Sequence, residues 1–362
     1  MSVAANNNSK QVQHYNYGFG SRKHLKGLLN EKPGYHLYVI DHYFKDKGSI
    51  LDLPIQASDY VIWLDTSHEP KTDQIDALLN AARDSKGGDK PSAVVGVGGG
   101  STLDTAKALA NLFNNEGKAE TYQGWDLVQN PGIYKIGIPT ISGTGAESSR
   151  TCVMSNVKSG LKLGMNSDYT MYDQLILDPE LTASVPRDQY LYTGMDSYIH
   201  CIESLNGSHR NAIGDAFSEE TLKLCRDAFL SEDMQSDENR GKLMVASYLG
   251  GCAIANSYVG IVHPLSAGLS VVLGTHHCVA NCIVMTAMEE FYPKEYQEFN
   301  EMASKANVAI PRGIAANLSD EVYQKLYEST VIHEKPLING LGTDFKKVLT
   351  LEKTTELFKK ME

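Results

Sequence analysis

Apolar and polar positions follow two different patterns along this chain. In the first half, short apolar runs alternate with stretches of helical period. YHLYVID (35–41) and YVIWLD (60–65) are β-branched and aromatic runs ending at an aspartate, which predicts buried strands. KTDQIDALLNAARDS carries an apolar face at helical spacing, and SAVVGVGGGS follows as a strand with a glycine turn. TLDTAKALANLFNN reads as a helix, and YKIGIPTISGTGAE as a further strand with a second glycine loop. Strand, helix, strand in this order predicts a parallel sheet in a doubly wound α/β domain.

After about Pro186 the strand signals fade. GMDSYIHCIESL, GDAFSEETLKLCRDAFL and GKLMVASYLGGCAIANSYVG favour helices, as do DEVYQKLYESTV and TLEKTTELFKKM near the end. The expected organisation is an α/β domain over residues 1–185, an all-α domain over residues 186–362, and a cleft between them.

Composition narrows the function classes. A chain of 362 residues exceeds a usual single core, so two domains are the default, and 42% hydrophobic residues fit a folded protein. The net charge is −11 and the 33 basic residues form no long run, which argues against nucleic-acid or anionic-membrane binding. MSVAANNNSKQ lacks the apolar core of a secretory signal, and no run approaches the roughly 20 apolar residues that span a bilayer. Six cysteines are scattered singly apart from Cys278 and Cys282, so reduced thiols and a cytoplasmic location are expected.

Chemistry concentrates in four residues. Asp196 and His200 stand four apart in a helix-compatible stretch, which stacks them on one face. His263 and His277 follow in IVHPLSAGLSVVLGTHHCVAN, a stretch poor in charge. One carboxylate and three imidazoles suit a divalent transition metal, Fe²⁺ or Zn²⁺. Taken singly, each is more ordinary: a helix-start carboxylate or a satisfied core histidine. His276 adjoins His277, so spacing cannot decide which would ligate. Cys278 and Cys282 are close enough to be weighed as ligands, against the simpler reading of small buried residues.

Two glycine loops complete the picture. Gly98, Gly99, Gly100 and Ser101 stand where a strand turns into a helix, where glycine permits close approach or positive φ and the helix start favours an anion. Ser142, Thr144 and Gly145 of the second loop offer hydroxyl and amide donors to ribose or phosphate. Asp41 ends the first strand and is placed to accept from a ribose, favouring NAD over NADP. The rival readings are tight turns and a helix cap.

In order and spacing, GVGGGSTLDTAK, IPTISGTGAES, LDPELTASVP, TGMDSYIHCIES and VHPLSAGLS…GTHHCVAN resemble the iron-containing alcohol dehydrogenase family, within the dehydroquinate synthase-like superfamily. The resemblance runs from about Tyr17 to the C-terminal helices. It implies an α/β N-terminal nucleotide-binding domain with a parallel sheet and an all-α C-terminal metal-binding domain. It implies Asp196, His200, His263 and His277 as ligands, which selects His277 over His276. It places Gly98, Gly99, Gly100, Ser101 and Asp104 around a dinucleotide diphosphate and Asp41 at the adenine ribose. Thr140, Ser142, Thr144 and Lys162 would line the nicotinamide side. Many members carry a relay histidine four residues after the third ligand; here that position is Ala267, leaving His276 or water to take the alcohol proton.

Within the family, DHYFKDKG, WLDTSHEPKTDQIDALL, YQGWDL and LGMNSDYTMYDQLILDPEL resemble the 3-deoxy-D-manno-octulosonate 8-oxidase branch. That implies oxidation of the C8 hydroxyl of an acidic sugar in lipopolysaccharide modification, with Arg150, Lys162 and Arg210 as candidate cations for its carboxylate. The intact loops favour NAD as electron acceptor. Rivals are a simple aliphatic alcohol, glycerol or lactaldehyde-type substrate, the dehydroquinate synthase reaction, and a non-catalytic nucleotide- or metal-binding regulator. A homodimer is the expected assembly.

Overall fold

The computed structural model describes residues 10–361. The chain divides into two compact units, one ending at Ser184 and the other beginning at Val185.

The first unit is built on nine strands among the described residues: β1 (His14–Tyr17), β2 (His36–Asp41), β3 (Tyr60–Leu64), β4 (Ala93–Gly98), β5 (Gly124–Trp125), β6 (Lys135–Pro139), β7 (Thr151–Asn156), β8 (Leu161–Asn166) and β9 (Gln174–Leu177). Six of them form one sheet in the order β1-β9-β6-β4-β2-β3, with every neighbouring pair parallel. β4 is apolar and buried along its whole length because both its faces are covered. One core, with Val39, Val94 and Leu109, lies on one face; Tyr38, Val95 and Ile138 belong to a second core on the other. Alternate residues of a strand point to opposite faces, which is how neighbours such as Val94 and Val95 enter different cores.

Helices α1 (Thr72–Ser85) and α2 (Gly100–Leu112) follow β3 and β4. In register Ile40 pairs with Val97 and Gly98 with Pro139, so Asp41, Gly98 and Pro139 end three adjacent strands at one carboxyl edge. That edge is where open α/β sheets bind ligands. The parallel domain read from the sequence is present. The hairpin of β7 and β8, which with β5 makes a second, three-stranded sheet, was not foreseen.

The second unit is helical: α3 (Arg187–Asn206), α4 (Ala212–Phe229), α5 (Asp237–Ser257), α6 (Val262–Leu273), α7 (His277–Met285) and further helices to Leu351–Lys360. Pro186 caps the start of α3, where a missing N–H is no loss, and Gly207 ends it. α3 is buried from Tyr190 to Ser204 and runs through the middle of the core. A Cβ on Gly194 would meet the Phe229 ring at 2.4 Å, so only glycine lets α3 and α4 cross this closely. Burying Phe229 contributes roughly 1.5–3 kcal/mol. Among the described residues no single helix is long and apolar enough to cross a membrane.

Candidate functional site

In the helical unit, α3, α6 and α7 bring four side chains together. His200 Nε2 lies 3.5 Å and His263 Nε2 3.4 Å from Asp196 Oδ1, and His277 Nε2 lies 3.7 Å from Asp196 Oδ2. Asp196, His263 and His277 each offer a donor atom within 4.8 Å of the others. His200 does not meet that limit with all three; it joins through Asp196 and through its ring, stacked on His263 with centroids 4.7 Å apart. The Asp196 side chain is inaccessible, whereas that of His277 is 29% exposed, so the cluster opens on its His277 side.

Two residues that sequence reasoning missed hold this cluster. Glu203, one turn after His200, accepts from His263 Nδ1 and, with its other oxygen, from the Val262 N–H. Fixing the proton on Nδ1 turns Nε2 into the free donor a metal requires. Asn281, one turn after His277, donates from Nδ2 to Asp196 Oδ1 at 2.6 Å. Both lie at helical spacing from a ligand, which is the signal that could have found them.

Burial alone would push the Asp196 carboxyl up. The His200, His277 and His263 imidazoles outweigh burial and hold it well below the usual carboxylate range. Burial lowers His200 to about 4 despite Asp196. For His263 burial acts downward, but Glu203 and Asp196 overcome it and raise the ring to about 9. Among the described residues no lysine or arginine pairs with Asp196. The positive charge facing this buried carboxylate comes from the imidazoles themselves, above all His263, and a divalent ion would supply it in their place. One carboxylate with three imidazoles therefore fits a divalent ion by charge as well as by ligand type.

In the α/β unit, Gly99 caps α2 with φ −80°, and none of Gly98, Gly99 or Gly100 is left-handed. The expected positive φ is therefore corrected: glycine is needed here for space. A Cβ would lie 2.6 Å from Thr102 Oγ1 at Gly98, 2.7 Å from Ile141 Cδ1 at Gly99 and 3.2 Å from Thr144 at Gly100. Left-handed backbone occurs instead in the second loop, at Gly143 and Gly145. Ser101 opens α2 behind Gly100; the Thr102 and Leu103 N–H groups both donate to Gly99 O, so the Gly100 and Ser101 amides are the ones that precede the helix's own bonds. A glycine backbone packed this closely ahead of a helix start suits a diphosphate.

The remaining nucleotide-side residues are placed as follows. The Thr140 N–H donates to Gly98 O, tying the two loops. Ser142 Oγ is buried with no hydrogen-bond partner among the described residues, and Thr144 Oγ1 accepts from the Ala146 N–H. Asp41 caps the turn after β2, accepting from the Tyr43 N–H at 2.9 Å and from the Thr66 hydroxyl. Asp104 stands one turn into α2 and accepts from the Val153 N–H of β7 at 2.9 Å. Lys162 Nζ pairs with Glu69 at 2.6 Å.

The candidate cations are all engaged: Arg150 by Asp126 and Asp168, Arg210 by Asp215 and Lys162 by Glu69. His276 is exposed at the head of α7 and makes no side-chain hydrogen bond among the described residues. Cys278 donates weakly to Asp196 Oδ2 at 3.5 Å, while the Cys282 thiol points to Tyr192 O. Neither cysteine belongs to the mutual donor set, consistent with the packing reading.

Residues 13–179 match the profile of iron-containing alcohol dehydrogenases, and residues 190–330 match that of the family's C-terminal region. A sulfoacetaldehyde reductase of Bilophila wadsworthia is 35% identical over 61% of this chain and 57% of its own length. An NAD-dependent methanol dehydrogenase of Bacillus methanolicus is 31% identical over 53% of this chain and 51% of its own. The chain thus spans about half the length of these curated relatives. In structure it resembles sulfoacetaldehyde reductase from Bifidobacterium kashiwanohense, solved with NAD⁺. That match has a TM-score of 0.80 at 20% identity, over 97% of both chains, and speaks for the fold. The chain belongs to the iron-containing alcohol dehydrogenase family.

Proposed function

We propose that this protein is a metal-dependent, NAD-linked oxidoreductase that interconverts a small primary alcohol and its aldehyde. The observation that carries the reading is the convergence of Asp196, His263 and His277, with His200 against the same carboxylate. The named relatives, a reductase of sulfoacetaldehyde and an NAD-dependent dehydrogenase of methanol, support a small substrate.

Asp196, His200, His263 and His277 would hold Fe²⁺ or Zn²⁺, whose chemistry there would be to acidify a substrate hydroxyl, and NAD would be the hydride acceptor. The chain's own part is preorganisation. Asp196 supplies the buried negative charge, and Glu203 fixes the tautomer of His263. The Gly98–Ser101 loop offers helix-start amides to the diphosphate, and the Asp41 carboxylate disfavours a 2′-phosphate. The alcohol proton passes to His276, since the alanine at position 267 has no group to accept it. An unchanged rate in H276A hands that role to water.

Oxidation of the C8 hydroxyl of 3-deoxy-D-manno-octulosonate is a second substrate within the same chemistry, favoured by the stretches that resemble that branch. We rank it below small alcohols because Arg150, Lys162 and Arg210 are all held by acids. Self-association into a homodimer belongs to the same proposal, and light scattering of the purified protein reads it.

The test is Fe²⁺-loaded protein with NAD⁺ and a panel of methanol, propanol, glycerol and the octulosonate, and with NADH and the matching aldehydes, following NADH absorbance. Turnover of small alcohols or aldehydes supports the reading. Turnover of the octulosonate alone moves the assignment to the sugar, and silence throughout favours the non-catalytic regulator.

A further inference from the structure

Resting on the metal-site reading above, we propose that Asn281 is a positioning residue of that site, holding the Asp196 carboxylate in the direction the imidazoles share. Asn281 stands one turn after His277 on α7, so both side chains project from one face of the helix. It is fully buried. Its Nδ2 donates to Asp196 Oδ1 at 2.6 Å and lies 3.4 Å from His263 Nε2 and 3.3 Å from His277 Nε2. Turned over, the amide would set its carbonyl oxygen against a carboxylate at that same short distance. Electrostatic repulsion therefore fixes which end faces the cluster.

The other end of the amide is informative. Asn281 Oδ1 is buried with no hydrogen-bond partner among the described residues. An acceptor left unmade in the interior costs stability, and a leucine of similar volume would fill the space without that cost. What the amide supplies and leucine lacks is the bond to Asp196. On that carboxylate's second oxygen stand the ligand nitrogen His277 Nε2 at 3.7 Å and the Cys278 thiol at 3.5 Å, and thiols are weak donors. α7 thus carries a ligand, His277, together with the brace for a ligand on α3. The two helices are tied to each other at the point where the ion would be gripped.

N281L keeps the volume and removes the donor, and N281A removes both. Wild type and variants, checked for folding by circular dichroism and gel filtration, are titrated anaerobically with Fe²⁺ and separately with Zn²⁺ against a chromophoric chelator. Partners of metal ligands typically change affinity 10–100-fold, so Kd is expected to rise by about that factor in both variants. NAD⁺ affinity, read by cofactor fluorescence, is expected to stay unchanged. N281S, whose hydroxyl falls short of Asp196, serves where leucine does not fold, with the same expected rise. Wild-type metal affinity in N281L, or in N281S where leucine fails, overturns the proposal and leaves Asn281 as packing. A wild type that binds neither metal overturns the metal-site reading beneath it, a result distinguishable from the first.

Discussion

Glu203 accepts the Nδ1 proton of His263 while the other nitrogen of that ring stands 3.4 Å from Asp196 Oδ1. The same glutamate also takes the Val262 N–H, so one buried carboxylate orients the imidazole and secures the start of its helix. E203L strands both donors in the interior, at about 1–3 kcal/mol each, and frees the ring to turn. The expected result is a lower melting temperature together with a metal Kd raised about 10–100-fold. A variant that loses stability but binds metal as wild type does would show that Glu203 only supports the fold.

Asp104 gives a pH dependence to stability. Burial pushes its carboxyl from an ordinary 3.8 up to about 6, outweighing Lys107 and the Val153 N–H. Between those values the folded protein holds a proton that the unfolded chain has released, so stability falls as pH rises through this window. The contribution is fully present below the unfolded value and gone above about 6. D104N stays neutral throughout. Urea melts should show the wild type gaining on D104N by on the order of 2–3 kcal/mol as pH falls across the window. A constant difference between the two proteins contradicts this.

The parts legible in the sequence were those where chemistry and period coincide. β2, β4 and β6 are apolar runs ending in turn residues, and Asp196 with His200 shows the helical repeat directly. β1, with sequence HYNY, was missed because it alternates no apolar face; its pairing is set by the neighbouring β9. The β7–β8 hairpin was hidden because only alternate residues such as Cys152, Met154 and Met165 are buried, with Lys162 among them. His263 and His277 stand on different helices, and their meeting depends on tertiary packing that no local spacing encodes. The glycine loop was located correctly, but its reason was steric contact with Ile141 and Thr144 on another strand's loop.

That steric reason is itself testable. In G98A the new Cβ would lie 2.6 Å from Thr102 Oγ1 and 2.7 Å from Thr102 Cβ, so the start of α2 must shift. Overpacking of this kind costs roughly 1–3 kcal/mol. If part of it falls on the diphosphate cradle, NAD⁺ affinity measured by calorimetry drops at least about tenfold, equivalent to 1.4 kcal/mol. Wild-type NAD⁺ affinity in G98A would detach this loop from the nucleotide.

Arg210 discriminates between substrate classes. Its guanidinium is half exposed and paired with Asp215 at 2.9 Å. An exposed pair of this kind is worth little energetically and is no prepared anion site. R210E is therefore expected to change KM for an acidic sugar and for a neutral alcohol alike, within about twofold. A rise confined to the acidic sugar would restore Arg210 as a substrate contact.

The metal content of the purified protein tests the centre most directly. After anaerobic reconstitution with Fe²⁺ and removal of excess ion, bound metal per chain is determined by mass spectrometry for wild type and for D196A, H263A and H277A. The account predicts a tightly held ion in the wild type, lost in each variant. A wild type that retains no ion, or variants that retain it undiminished, would contradict the account.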